Sequence, residues 1–321
     1  MVNDVMNNKM LSVLFPAYNE RACIPLQYER ISSVLSNLPC DAEILFVNDG
    51  STDNSLLCIQ QLQRNDARIA YVDLSRNFGK EAAISAGIDY IQGNVLVIMD
   101  ADLQDPPELI PTMLNAIENG YDDVYACWKT RRGGSWLKKW TSKQYYRLLR
   151  TLSNIAIQEN TGDFRMLGSK AIEALRQLQE RERNMKGLFS FIGFRKKCIF
   201  YEREPRVAGK TKWNYIQLFG LAMKGWISFS IVPLRIISFT GVTVSLIAFI
   251  YLIKVFIKAI IWGDPIAGYP SLMCVVSFLG GFILLALGII GEYLGIIYNE
   301  TKKRPGYFVN EYRKVSIQVD Q

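Results

Sequence analysis

The chain has 321 residues, half of them hydrophobic and 21% charged, with a formal net charge of +7. That composition excludes a disordered chain and a small disulfide-stapled scaffold, and the length suits one large domain or two smaller ones. No histidine occurs anywhere, which excludes Ser-His-Asp triads, Cys-His pairs and His-ligated zinc and leaves Asp, Glu, Lys or Tyr as the available base. The positive excess is concentrated in Lys129, Arg131, Arg132, Lys138, Lys139, Lys143, Arg147 and Arg150, a run with no acid among them.

The segment from Met1 to Lys9 is polar, so no signal peptide is expected and the first domain is expected in the cytoplasm. Apolar runs at Leu11–Phe15, Glu43–Val47, Arg68–Leu74, Val95–Met99 and Asp123–Ala126 predict strands. Amphipathic stretches at Ile24–Leu38, Asp53–Gln63, Lys80–Ile91 and Pro107–Asn119 predict helices between them. This βαβα series predicts a mainly parallel, doubly wound α/β sheet, whose ligands bind beyond the carboxyl ends of the strands. The six cysteines lie far apart without C-x-x-C spacing and are expected to be buried thiols in a reducing compartment.

Four consecutive predicted strands end in polar clusters: Pro16-Ala17-Tyr18-Asn19-Glu20, Asn48-Asp49-Gly50-Ser51-Thr52-Asp53, Ser75-Arg76-Asn77-Phe78-Gly79-Lys80 and Asp100-Ala101-Asp102-Leu103-Gln104-Asp105. Turn and cap chemistry accounts for Ser51 to Asp53. It leaves Asp100 and Asp102 unexplained, because two carboxylates after an apolar strand repel unless a cation lies between them. A hard divalent ion such as Mg²⁺ or Mn²⁺ prefers oxygen ligands of this kind, together with a substrate phosphate. No G-x-G-x-x-G follows the first strand, and Gly209-Lys210-Thr211 has Glu204 where a P-loop needs its first glycine, so neither nucleotide motif is supported.

From about 136 to 156, apolar Leu137, Trp140, Leu148, Leu152 and Ile155 alternate with Lys138, Lys139, Ser142, Lys143, Arg147 and Arg150, the pattern of a basic interfacial helix on anionic lipid. A solvated basic face is the plainer alternative, and no nucleic-acid motif is present. The stretch 213–232 reads as a second interfacial helix. Ile236 to Ile253 gives 18 uncharged residues and Ser271 to Gly291 gives 21, about 27 and 31 Å as helices. A two-helix transmembrane domain is therefore expected over 233–299, with a cytosolic tail over 300–321 carrying Lys302, Lys303 and Arg304. The glycines of the second stretch permit close helix packing within the pair or between protomers, so a homo-oligomer stays open.

The four strand-end clusters, Thr161-Gly162-Asp163-Phe164-Arg165, and Arg206 through Gly209-Lys210-Thr211-Lys212-Trp213 resemble, in order, the motifs of inverting GT-A glycosyltransferases. Within that group they are similar to the polyprenyl-phosphate branch of dolichol-phosphate mannose synthases and bactoprenol glucosyltransferases. The resemblance covers nearly the whole chain, including the two apolar stretches. It implies a cytosolic GT-A domain over 1–212 in a bacterial inner-membrane protein, with a nucleotide-sugar donor and a polyprenyl phosphate acceptor. It implies a donor site of Pro16, Tyr18, Asn19, Glu20, Asp49, Asn77, Lys80 and Asp100, with Asp100, Asp102 and Gln104 holding Mg²⁺ or Mn²⁺. Asp163 and Asp102 would be catalytic, and Arg131, Lys138, Ser142, Arg206 and Lys210 would meet the acceptor phosphate. An arginine expected after Trp128 is replaced by Lys129 or Arg131.

The absence of histidine suits a phosphate acceptor, which is largely ionised already because its second pKa is about 6. UDP-glucose is the expected donor, with GDP-mannose or another sugar nucleotide open. A processive polysaccharide synthase is disfavoured because Gln144-Tyr145-Tyr146-Arg147 is followed by Leu148, not by the tryptophan of Q-x-x-R-W. A non-catalytic sugar-lipid carrier would not need Asp100, Asp102 and Gln104.

Overall fold

A computed structural model describes residues 10–128, 161–178, 180, 183–201, separate positions between 234 and 254, and residues 268–315. The four apolar runs of the first hundred residues form β1 (Met10–Ala17), β2 (Asp41–Asn48), β3 (Ile69–Leu74) and β4 (Val95–Ile98). They pair in parallel, β1 with β2 and β4, and β2 with β3. Because successive side chains point to opposite faces, Val13, Phe15, Ile44 and Phe46 enter one core while Leu14, Leu45, Val47 and Val72 enter the other.

Helices cover both faces, as the periodicity predicts. The first core takes α1 (Ile24–Leu35), α2 (Ser55–Asn65) and α4 (Ile110–Glu118), through residues such as Ile31, Ile59 and Met113. The second takes α3 (Lys80–Tyr90), α5 (Ser169–Gln177) and α6 (Met185–Phe191), through Ile84, Ile172 and Leu188.

The sheet extends past the predicted strands with β5 (Asp123–Trp128), β6 (Thr161–Gly168), β7 (Lys196–Tyr201) and β8 (Val309–Arg313), in the order β7-β5-β6-β4-β1-β2-β3-β8. Four of its seven pairings are parallel; β6 runs antiparallel to β4 and β5, and β8 antiparallel to β3. Two expectations are corrected here. The stretch 300–321 is not simply a tail, because Val309–Arg313 closes one edge of the sheet. The cysteines are not all isolated buried thiols either: Cys127 and Cys198 lie side by side on the paired strands β5 and β7, Cα to Cα 6.1 Å, and Cys40 and Cys58 are only half-buried, whereas Cys23 is buried.

The chain divides into two units. The sheet and its helices belong to one, with Arg304–Gln321; the other contains Trp213–Lys303. In the second unit α7 (Tyr269–Thr301) is one helix of 33 residues. Its stretch Phe278–Thr301 has mean hydropathy 2.0 and none of it is buried, so it is long and apolar enough to cross a membrane; among the described residues it is the one such helix. The expected first span, 236–253, is described only at separate positions, all helical. The interfacial helices expected at 136–156 and 213–232 lie outside the described residues.

Candidate active site

The carboxyl ends of β1 to β4 converge on a cavity of about 290 Å³. Pro16, Tyr18 and Glu20 line it from the end of β1, Asp49 from β2, Asn77, Gly79 and Lys80 from the loop after β3, and Asp100 and Asp102 from β4. This is where a parallel α/β sheet binds ligands, since each crossover leaves a loop at the same edge. Seven of the eight residues assigned to the donor from the sequence are thus brought together.

Asn19 is the exception and is not a lining residue. It holds a left-handed backbone, φ 57°, and its Oδ1 accepts from the backbone N of Thr52 at 2.8 Å and of Asp53 at 3.3 Å. It staples the end of β1 to the loop that enters α2. Gln104, expected with Asp100 and Asp102 at the metal, is buried, is not among the lining residues, and donates its backbone N–H to Asp102 Oδ1 at 3.2 Å. Leu103 between them has φ 64°, a costly conformation for a branched side chain, and its side chain is buried below the loop.

Asp49 is buried and does two jobs. Its Oδ1 accepts from Phe78 N at 2.7 Å and its Oδ2 from Gly79 N at 2.9 Å, which fixes the loop after β3. Burial raises its pKa against the lowering effect of those N–H donors and Arg76. Gly50 follows with φ 60°, and a Cβ there would lie 2.3 Å from Arg76 C and 2.5 Å from Asn77 N. Only glycine lets the two loops approach this closely.

Lys80, the first residue of α3, places its Nζ 2.5 Å from Asp100 Oδ1 and 2.5 Å from Asp163 Oδ2. Asp163 lies on β6, not in a turn, so the antiparallel strand beside β4 carries it to Lys80, although it is not itself a lining residue of the cavity. Burial alone would push the Asp163 carboxyl up; Lys80 and Lys186 overcome this and hold it below the usual carboxylate range. Desolvation likewise opposes the charge on Lys80, but Asp100 and Asp163 outweigh it and keep the ammonium above its ordinary value.

Two neighbours of this ion pair were not legible in the sequence. Lys186 on α6 donates to Thr161 O at 3.2 Å and adds positive charge beside Asp163. Glu81 accepts from Met185 N at 2.9 Å, tying α3 to the start of α6. Burial and the Asp163 charge push its carboxyl up to about 7. No motif marks either residue, because only the packing of α6 against α3 brings them to Asp163. Arg131, Lys138, Ser142, Arg206 and Lys210, assigned to the acceptor phosphate, lie outside the described residues.

The described lining sets four carboxylates, Glu20, Asp49, Asp100 and Asp102, against one ammonium, Lys80. A diphosphate entering such a cavity needs added positive charge. Asp100 and Asp102 supply the oxygen donors that a hard divalent cation accepts. Among the described residues no cluster of three or more carboxylates, cysteines or histidines is present, so a cation held by Asp100 and Asp102 would need further oxygen ligands from outside the protein.

A mainly parallel sheet with an acidic cavity at its carboxyl edge, and an antiparallel strand that brings one more carboxylate to its Lys80, defines a GT-A-like glycosyltransferase domain. The profile of glycosyl transferase family 2 matches residues 12–176, and the chain belongs to that family. It is 45% identical over 301 residues to an uncharacterized glycosyltransferase of Synechocystis sp., covering 94% of this chain and 95% of the relative. It is 38% identical to the prophage bactoprenol glucosyl transferase homolog of Escherichia coli, over 95% of this chain and 99% of that protein. The bactoprenol glucosyl transferase of Shigella phage SfX is also 38% identical, over 93% of this chain and 98% of its own. Among solved structures, glucosyl-3-phosphoglycerate synthase from Mycobacterium tuberculosis, in complex with Mn²⁺ and uridine-diphosphate-glucose, aligns with TM-score 0.45 and 16% identity over 70% of this chain and 79% of its own.

Proposed function

We propose that the protein transfers glucose from UDP-glucose to undecaprenyl phosphate at the cytoplasmic face of a bacterial inner membrane, with inversion at the anomeric carbon and with Mg²⁺ or Mn²⁺ bound. The observation that carries this reading is the extent of the similarity. Proteins named bactoprenol glucosyl transferase match 93% to 95% of this chain, far more than the sugar-nucleotide domain alone supplies.

Pro16, Tyr18, Glu20 and Asn77 take the base and ribose, and Asp49 holds the loop that carries Asn77. Asp100 and Asp102 hold the divalent ion, which when bound neutralises charge developing on the departing nucleoside diphosphate. Lys80 adds a fixed positive charge at the same edge of the cavity. Asp163 orients the acceptor or the sugar. A carboxylate held below its usual range by two lysines is a weak base, which agrees with an acceptor phosphate that arrives already ionised. Inversion follows from a single in-line attack by that phosphate oxygen without a covalent enzyme intermediate. Arg131, Lys138, Ser142, Arg206 and Lys210 are assigned to the acceptor phosphate on the resemblance.

Two membrane spans are part of the proposal. Because β8 pairs with β3, the residues that follow α7 must lie on the same side of the bilayer as the sheet. If α7 crosses, the chain must cross an odd number of further times before it, and 236–253 is the stretch of suitable length. Ile237, Gly241 and Val244, spaced as one helix face, line an apolar groove with Leu279, Phe282 and Ala286 of α7, which supports a helical pair.

The deciding experiment incubates membranes containing the protein with undecaprenyl phosphate, Mg²⁺ and radiolabelled UDP-glucose, GDP-mannose and other sugar nucleotides. A chloroform-soluble product labelled from UDP-glucose is expected. No lipid product from any donor overturns the reading.

A further inference from the structure

The segment after the apolar helix does more than close the sheet. Ser75 N donates to Phe308 O at 2.9 Å, the first backbone bond of the loop that leaves β3. The Phe308 ring lies 6.3 Å from that of Phe78, which has the Arg76 guanidinium over it at 4.1 Å. Asn310 Nδ2 donates to Asp73 Oδ2 at 2.9 Å, while Asn48 Nδ2 donates to Asp73 Oδ1 at 2.7 Å, so one buried carboxylate joins β8 to β3 and to the residue before Asp49. The same segment grips α3 at its far end: Tyr307 donates to Asp89 at 2.6 Å, and the Tyr312 ring meets Tyr90 edge-on at 4.6 Å.

Phe78 and Gly79 are the residues whose amides Asp49 accepts, and α3 begins at Lys80. The donor loop is therefore clamped between Asp49 on its inner side and the C-terminal segment on its outer side. We propose that Phe308 and Asn310 are positioning residues for the nucleotide-sugar site, holding Asn77 and Lys80 in place without touching the donor. This rests on the cavity being the donor site, as proposed above.

The experiment uses the full-length protein in detergent, comparing the parent with Phe308→Ala, Asn310→Ala and the conservative Phe308→Tyr. Two quantities are read: hydrogen exchange of the Phe78 and Gly79 amides without ligand, and donor KM against kcat with UDP-glucose. Exchange at both amides is expected to quicken, and KM to rise about fivefold with kcat within about twofold, on the scale of losing one aromatic contact. Phe308→Tyr is expected to restore both. Should Phe308→Ala fail to fold, Asn310→Ala and Phe308→Leu carry the same readouts. Unchanged exchange at Phe78 and Gly79 overturns the proposal, as does faster exchange with KM unmoved. Protection lost equally across β1 and β4 overturns it too, because that pattern marks a purely structural role. A protein that turns over no donor defeats the functional reading instead, and amide exchange then decides the clamp alone.

Discussion

The Lys80 ammonium lies 2.5 Å from Asp163 Oδ2, joining the first residue of α3 to β6. One ion pair thus ties Lys80, in the wall of the cavity, to the strand that carries Asp163. Lys80→Met removes the cation shared by Asp100 and Asp163. Turnover is expected to fall about a hundredfold, with Lys80→Arg retaining part of it, in the lipid-product assay. Activity within about threefold of the parent removes Lys80 from the catalytic apparatus.

The metal assignment predicts that EDTA abolishes turnover and that Mg²⁺ or Mn²⁺ restores it. Asp102→Asn is expected to raise the metal concentration needed for half-maximal activity about tenfold or more, because one of two protein carboxylates is lost. Full activity in EDTA would falsify this assignment.

Glu81 gives a pH dependence with a definite sign. Its carboxyl is pushed from an ordinary 4.5 up to about 7, so within that window the folded chain retains a proton that the unfolded chain has released. The unfolded state binds fewer protons there, and this group's contribution to stability declines as pH rises. Glu81→Gln is expected to flatten the decline in thermal midpoint between about pH 5 and about pH 7.5. Parallel slopes for the two proteins would mean that Glu81 ionises normally. Asp163 acts oppositely: its lowered pKa gives stability present above the unfolded value and lost as pH falls through the folded one.

Gly50→Ala tests the contact between the loops after β2 and β3. With φ 60° and Arg76 C 2.3 Å from the new Cβ, the backbone must shift. A loss of about 2 kcal/mol is expected in denaturant unfolding, along with weaker donor binding. Unchanged values for both would show that the loop yields freely.

Arg165 and Asp123 form a buried pair, Nη1 to Oδ2 3.1 Å, with side chains 1% and 0% exposed. Arg165→Met leaves the Asp123 carboxyl buried without its guanidinium partner, and a loss of about 3–5 kcal/mol is expected. The double replacement with Asp123→Leu is expected to recover most of it, measured as a thermodynamic cycle.

The first five strands and four helices were legible because each is a periodic apolar run bounded by turn residues. The convergence of these residues on one cavity was legible for the same reason: a parallel sheet gathers its carboxyl ends, so four adjacent strand ends predict one site. β6 and β8 were not legible. Thr161-Gly162-Asp163 opens β6 with turn-like residues, and its strand character comes from pairing with β4 and β5. Val309–Arg313 alternates too briefly to stand out from a polar tail. Asn19 was assigned by its place in a motif, but a motif does not say that the loop itself takes up that side chain.

The pairing of β8 with β3 also has a consequence for how the chain is made. Asn310 and Asp73 are 237 residues apart, so β3 remains an open edge until nearly the whole chain has left the ribosome, after the apolar helix has been synthesised. An exposed β edge is a template for pairing with another chain. The nascent sheet is therefore exposed to aggregation until that point, and a chain stopped short of residue 309 keeps that edge open permanently.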